Sequence, residues 1–235
     1  MRSLALSPRN ALATALVLMA VPAAAVIVDR VAAAVGTKVI TDSEIDLRIR
    51  LTAFQNDEKP DFSLAARRQA VERLIDQKLV EREMDVGHYP RLAAARGEAL
   101  LDDYVKSNYK GDREAFGRAL SGYQLTAEDV EDDLVRQTDL LTFLSLRFRP
   151  AVQVTEDDVR KYFNENVQPR LAKTRQDSLN EMRAQIEEQL TAERSSRELD
   201  LWLQDQRKRT KIEYEEKDLA PQPTPGNSGK EANGK

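Results

Sequence analysis

The sequence predicts a mainly helical protein, with about seven helices and a small β-hairpin or sheet, from three observations. Most of the chain carries apolar residues at three- and four-residue steps, the spacing that aligns them on one face of a helix. Three such segments follow a threonine that has an acidic residue three positions later, which is the capping box that opens a helix. Stretches with β-propensity are few and short.

The first 25 residues are expected to be a signal peptide. Arg2 and Arg9 precede an apolar run at residues 11–21, and residues 22–25 supply the small side chains that a signal peptidase reads. A run this short, followed by a cleavage-like site, is typical of a secretory signal rather than of a membrane-spanning helix. The mature chain is therefore expected to start at Val26.

The composition excludes several classes of protein. Without Arg2 and Arg9, the 36 basic residues become 34 against 40 acidic ones, which gives a net charge of about −6. An acidic surface argues against nucleic-acid binding, which needs a basic face to displace counterions from phosphate. The chain has no cysteine, so it forms no disulfide, thiolate metal site or lipid anchor on cysteine.

The mature chain opens with a predicted hairpin. Residues 26–35 alternate well enough to form a strand, and Gly36 with Thr37 permits a tight turn into a second strand at residues 38–40. The capping box from Thr41 to Glu44 then starts the first helix. A loop at residues 55–61 separates this helix from the next one.

The second helix, over residues 66–85, is the element around which the other segments are expected to pack. Ser63 is its predicted N-cap, and Gly87 is its predicted end. A single amphipathic helix of this length cannot bury its apolar face alone, so its neighbours must cover that face. Its predicted apolar face comprises Ala70, Val71, Leu74, Ile75, Lys78 and Leu79.

Five more helices are predicted after Pro90. The third ends near residues 108–111, the fourth spans about 112–120, and the fifth runs from the capping box at Thr126 to Pro150. The sixth starts at the capping box of Thr155. The last is a long polar helix over residues 170–209, with a charged break at residues 193–198. The apolar stripe predicted for the fifth helix comprises Val130, Leu134, Leu141, Leu144 and Phe148.

Four regions follow from these elements. They are a signal peptide at residues 1–25, a helical module at 26–168, a C-terminal helix and strand at 169–216, and a tail at 217–235. The tail is rich in proline, glycine, asparagine and lysine, a composition typical of disorder.

No catalytic or metal-binding set is found in the sequence. His88 is the only histidine and lies in a turn, so no zinc set or serine-histidine-aspartate triad is expected, and no cofactor is predicted. Adjacent carboxylates such as Asp132 and Asp133 diverge by about 100° on a helix, and we interpret them as solvated surface. Aromatic side chains that could line a peptide groove, or simply pack in the core, are Tyr104, Tyr109, Phe116, Tyr123, Tyr162 and Phe163. Residues expected to dock the last helix are Leu199, Leu201, Trp202 and Leu203.

The order of these segments resembles the SurA-like family of periplasmic chaperones. The matching segments are residues 28–35 (VDRVAAAV), 39–45, 74–79 and 125–134, then 186–190, 201–203, Arg207 and 211–214. Two-part members of the family carry a parvulin-type peptidyl-prolyl isomerase domain of about a hundred residues before the final helix, a typical small-domain length. Here the two flanking segments nearly abut at residues 168–170, so the resemblance implies the chaperone module alone.

The resemblance further implies that the C-terminal helix and strand return to complete the N-terminal part. It implies an exported, periplasmic, ATP-independent holdase without catalytic activity, which binds unfolded outer-membrane or secreted polypeptides and takes part in outer-membrane protein assembly. Nucleic acid and stable membrane insertion are not expected. Two alternatives stay open: a divergent peptidyl-prolyl isomerase, and a dimeric structural or assembly subunit of the cell envelope that uses the long C-terminal helix as its seam.

Overall fold

A computed structural model describes residues 29–92, 96–167 and 178–221. The predicted fold class is confirmed: these residues form seven α-helices and one three-stranded antiparallel sheet. The expected signal peptide and residues 222–235 of the expected tail lie outside them. The helices are α1 (Asp42–Asn56), α2 (Leu64–Val86), α3 (Gly97–Tyr109), α4 (Arg113–Gly122), α5 (Ala127–Arg147), α6 (Glu156–Tyr162) and α7 (Ser178–Arg209).

The sheet joins the two ends of the described chain. Its strands β1 (Val31–Val35), β2 (Lys38–Thr41) and β3 (Ile212–Tyr214) lie in the order β2-β1-β3. Gly36 takes a left-handed backbone conformation in the predicted turn, with φ at 62°. The pairing of β1 with β2 shifts register between Val31 and Ala33. The predicted alternation is therefore broken at this point, and two successive residues, Ala32 and Ala33, are both fully buried.

The central helix α2 covers the sheet and α1, as the sequence predicts. Its N-cap is Ser63, which accepts a hydrogen bond from the backbone of Ala66. At its end, a Cβ atom on Gly87 would lie 2.5 Å from the ring of Tyr89, so a larger residue here would force that ring to move. The main core comprises Ala32, Ala33, Val35, Ile40, Ile45, Ile49, Ala70, Val71, Leu74, Ile75, Leu79 and Leu219.

The two ends of α5 pack in different cores, and the apolar stripe predicted for this helix is therefore not buried along its whole length. Val130 packs in a second core around Leu51 and Phe54, whereas Phe143 lies in a third core with Val80 and Met84. Because the neighbouring elements change along the helix, the same face is not buried throughout. Leu141, a member of the predicted apolar stripe, is accordingly 65% exposed.

The last helix α7 is continuous over 32 described residues, about 48 Å at the α-helical rise. The break predicted at residues 193–198 is absent. Arg194 pairs with Asp158 of α6 at 2.7 Å and so joins the two helices, and Arg197 pairs with Glu193 at 3.0 Å within α7. The first eight residues predicted for this helix, 170–177, lie outside the described residues. After α7, strand β3 pairs with β1 and so returns the chain to its N-terminal part.

The predicted tail begins too early in the sequence. Lys217–Leu219 form a short 3-10 turn, and Leu219 is 1% exposed in the main core. Arg68 on α2 donates to the carbonyl oxygen of Asp218 and holds this turn. Because most residues around Leu219 are polar, the sequence did not indicate that this one side chain is buried in the core. Within the part of the chain that the structure describes, no helix is long and apolar enough to cross a membrane.

Candidate functional site: a cleft between α7 and the helical body

An open cleft of about 510 Å³ lies between the C-terminal helix α7 and the helices α1, α2 and α5. Its lining falls into two parts, an apolar floor and a polar wall. The residues of the floor are Val80 and Met84 from α2, Leu140 from α5, and Leu199 and Leu203 from α7. The residues of the polar wall are Arg48, Thr52, Gln55, Asn56, Arg73, Asp76, Gln77, Glu81, Arg91, Asp133, Arg136, Gln137 and Asp139.

The apolar floor is held by an aromatic cluster behind it. Phe143 is fully buried, and its ring lies 5.6 Å from Phe148 and 5.7 Å from Trp202, in edge-to-face arrangements. Such pairs fix the relative position of the helices that carry them. Trp202 thus holds α7 at the distance from α5 that leaves the cleft open between them.

A buried carboxylate organises the polar wall. Asp133 is 1% exposed and accepts hydrogen bonds from Arg48 at 2.8 Å and from Gln55 and Gln137 at 2.7 Å each. These donors satisfy both of its oxygens, as a buried charge requires. The interpretation of Asp133 as solvated surface was wrong, although its neighbour Asp132 is exposed. Its spacing of three residues from the core residue Val130 was the signal for burial.

Two arginines of the cleft keep unused hydrogen-bonding capacity. Arg136 reaches Asp133 at only 3.4 Å, and its Nε is buried with no acceptor among the described residues. Arg73 is exposed and forms no ion pair or side-chain hydrogen bond within the described ranges. Arg48, by contrast, also donates to Gln77 at 2.9 Å and is fully engaged in the wall.

The far end of α7 is clamped to α2 behind the cleft. Arg207 donates to Asp76 at 2.7 Å and to the carboxylate and backbone of Glu72. Burial of Arg207 opposes its charge, but the hydrogen bonds and negative charges of Asp76 and Glu72 outweigh burial and raise its pKa. The clamp keeps this guanidinium charged, and it fixes one wall of the cleft.

Four of the six predicted client-binding aromatics meet in one place, away from the cleft. Tyr104, Tyr109, Phe116 and Tyr123 gather around Phe54, with ring centroids 5.3 to 6.5 Å apart in the contacting pairs. Phe116 is 2% exposed and the three tyrosines are half-buried. Burial raises the pKa of Tyr104 and of Tyr109. These four aromatic side chains pack as part of the second core, which is the alternative that the sequence left open beside a peptide groove.

The other two aromatics belong to a separate core between α6 and α7. Phe163 is 7% exposed, and Tyr162 packs beside it against Val159 and Ile186. None of the six predicted aromatics lines the cleft described above. The sequence indicated aromatic residues as candidates for binding a polypeptide, whereas the floor of the cleft consists of aliphatic side chains and methionine.

Three of the four residues predicted to dock α7 do so. Leu199, Trp202 and Leu203 pack against the core that contains Phe143. Leu201 is 53% exposed, and its predicted docking was wrong. It lies about 200° around the helix from Leu199, so the two cannot face the same neighbour.

The described residues contain no group of three or more His, Asp or Glu side chains that could hold a metal ion. His88 is exposed in its turn, with φ at 52°. Comparison with protein-family models and with curated proteins finds no match to this sequence.

Proposed function

We propose that this chain is an exported, ATP-independent chaperone that holds unfolded outer-membrane or secreted polypeptides in the cleft beneath α7. The observation that carries this proposal is the combination of an apolar floor and a hydrogen-bonding wall in one open cleft. Its volume of about 510 Å³ is in the range of sites that enclose a small ligand. The occupant would therefore be a short extended segment of the client rather than a folded domain.

The lining suits segments of varied sequence. Within the described residues the side chain of Asn56 makes no hydrogen bond, and Gln55 uses only its amide nitrogen, which donates to Asp133. The amide of Asn56 and the carbonyl oxygen of Gln55 can therefore pair with the backbone N–H and C=O groups of an extended chain. Leu140, Leu199 and Leu203 of the floor are partly exposed and offer apolar surface to client side chains of different shapes. Apolar burial drives such binding at roughly 25 cal/mol per Å², less the cost of immobilising both partners, so affinities should be modest.

The chain topology supports the same proposal. The pairing of β3 with β1 is the C-terminal return that the resemblance to SurA-like chaperones implies. Export rests on the expected signal peptide, and the client class rests on the resemblance. No bond is made or broken in this activity.

The test is light scattering from a denatured outer-membrane β-barrel protein, diluted into buffer with equimolar mature protein and no nucleotide. Aggregation should be suppressed at low salt and at about 0.5 M salt, because screening weakens charge-led complexes and not apolar ones. Loss of suppression at both salts, across several barrel clients, would contradict the proposal.

A pair of matched variants assigns the activity to the cleft. Leu140 and Leu146 are both exposed leucines of α5, at 36% and 50%, but only Leu140 lines the cleft. Leu140→Glu should weaken suppression by placing a charge on the apolar floor, and Leu146→Glu should leave it unchanged. Equal effects of the two substitutions would place the client elsewhere.

A further inference from the structure

The polar wall of the cleft is balanced in charge, since four arginines and four carboxylates line it. Most of these groups bind one another. Asp133 pairs with Arg48 at 2.8 Å and with Arg136 at 3.4 Å, and Asp139 pairs with Arg91 at 3.6 Å. One positive and one negative group of the wall are left outside these pairs.

These two groups are Arg73 and Glu81, which both belong to α2. Arg73 is exposed and has no ion-pair partner among the described residues. Asp76, one helical turn away, is bound to Arg207 at 2.7 Å. Glu81 is half-buried, and within the same part of the chain its carboxylate accepts only from the neutral amide of Gln77, at 2.7 Å. The wall thus offers one free charge of each sign to an occupant.

The spacing of the two free groups matches that of an extended chain. Arg73 and Glu81 are eight residues apart on α2, about 12 Å along the helix axis, and both line the cleft. In an extended chain, side chains four residues apart point to the same side and are separated by about 13 Å. One client segment can therefore reach both groups at once.

We infer that the cleft prefers extended client segments that carry an acidic and a basic side chain four residues apart, the acidic one on Arg73 and the basic one on Glu81. Such a segment has no net charge from this pair, so the balance of the wall is kept. A segment with charges of one sign would meet one partner and one group that repels it. Apolar contact with the floor supplies most of the affinity, and the two charges select among segments. This inference rests on the proposed chaperone function and names the charge pattern of the segment that it holds.

The test compares three peptides of alternating threonine and valine, blocked at both ends, by calorimetric titration into the mature protein. The first carries glutamate and lysine four residues apart in place of two threonines, and the second carries glutamine at both positions. The third has the composition of the first, with its glutamate and lysine two residues apart. The first should bind about fivefold more tightly than the second, because two partly exposed ion pairs together contribute roughly that factor. The third reaches only one of the two groups, so its advantage over the second should be about twofold.

Salt separates the charge preference from the apolar contact. At about 0.5 M salt the ratio of the first to the second affinity should fall close to one, because screening weakens exposed ion pairs. The affinity of the uncharged second peptide should not decrease. The same salt leaves suppression of client aggregation in place under the proposed function.

Variants assign the preference to the two groups. Arg73→Glu removes no contact that holds the fold, and it should bind a peptide with lysine at both positions more tightly than the first peptide, which reverses the wild-type order. Glu81→Gln should lower the fivefold preference to about twofold, since Arg73 alone remains. Arg118→Glu is the matched control, because Arg118 lies exposed on α4 and pairs only with Glu114 among the described residues. It should keep the full preference of the wild type.

The outcomes separate this inference from the function on which it rests. Equal binding of the first and second peptides by the wild type at low salt would overturn the inference, while suppression of client aggregation would still support the holdase. Equal binding of the first and third peptides would also overturn it, and so would a fivefold preference that survives Arg73→Glu or a protein that protects clients and binds none of the peptides. If no peptide binds and no client is protected, the proposed function itself is wrong.

Discussion

The phenol of Tyr214 donates a hydrogen bond to the carboxylate of Glu72 at 2.7 Å, across 142 residues of sequence. This bond joins strand β3 to the central helix α2, and the same carboxylate also binds Arg207. Burial is the largest cause that raises the pKa of Tyr214, and the hydrogen bond and charge of Glu72 raise it further. The contact that closes the fold is therefore sensitive to alkaline pH.

Tyr214→Phe should reduce the loss of stability at alkaline pH. The folded protein holds the phenolic proton above the ordinary pKa of 10.0, where the unfolded chain releases it. The contribution of Tyr214 to the free energy of unfolding is thus complete below that pH and is lost as pH rises through the folded-state pKa. Burial also raises the pKa values of Tyr104 and Tyr109, so part of the decrease in the free energy of unfolding with rising pH should remain in this variant. Urea titrations from neutral to alkaline pH measure this slope, and an unchanged slope in Tyr214→Phe would contradict the assignment.

The helix starts could be predicted because their determinants are local. Thr41, Thr126 and Thr155 each accept from the backbone of the residue three positions later, whose carboxylate accepts in return. All of the atoms involved lie within four residues of sequence, so no knowledge of the tertiary fold is needed. The hairpin turn at Gly36 is equally local.

The cleft could not be predicted in the same way, because four helices from distant parts of the sequence create it. Asp133 looks like a surface carboxylate until Arg48 and Gln55, about eighty residues earlier, are placed beside it. The break predicted in α7 failed for a similar reason, since Arg194 finds its partner Asp158 on another helix. Sequence patterns describe which face of a helix is apolar, and they do not say which charges meet across helices.

Trp202→Ala should lower the free energy of unfolding by about 3 kcal/mol, as for other large aromatics removed from a core. The reason is the loss of its ring contacts with Phe143 and Phe148, which hold α7 to α5. Leu201→Ala is the matched control on the same turn, because Leu201 is 53% exposed, and it should cost less than about 0.5 kcal/mol. Chemical denaturation measures both. A Trp202→Ala protein as stable as the wild type would show that this end of α7 does not depend on the ring.

Two truncations should differ sharply although their ends lie five residues apart. A chain that ends at Pro221 keeps Leu219 in the main core and should melt close to the full-length protein. A chain that ends at Glu216 loses Leu219, and it should be less stable by about 3 kcal/mol, the cost of emptying a buried leucine site. Leu219→Ala in the full-length chain should reproduce most of that loss. If both truncated chains melt alike, the turn after β3 contributes nothing to the fold.

Asp133→Ala and Asp132→Ala test whether the polar wall of the cleft is structural. Asp133 is 1% exposed, and removing it leaves the guanidinium of Arg48 without its 2.8 Å partner in a largely buried position. Breaking a buried ion pair from one side costs about 3 kcal/mol or more, because the remaining charge is left uncompensated.

Asp132 is the exposed neighbour of Asp133 on α5, so its removal should change the free energy of unfolding by less than about 0.5 kcal/mol. The double variant Asp133→Leu with Arg48→Met should recover much of the loss of Asp133→Ala, since replacing both members of a buried pair by apolar groups is often neutral. Urea denaturation of the three proteins at neutral pH measures these differences. Equal stability of the Asp132→Ala and Asp133→Ala proteins would mean that water, rather than Asp133, neutralises Arg48, and that the wall forms without its buried carboxylate.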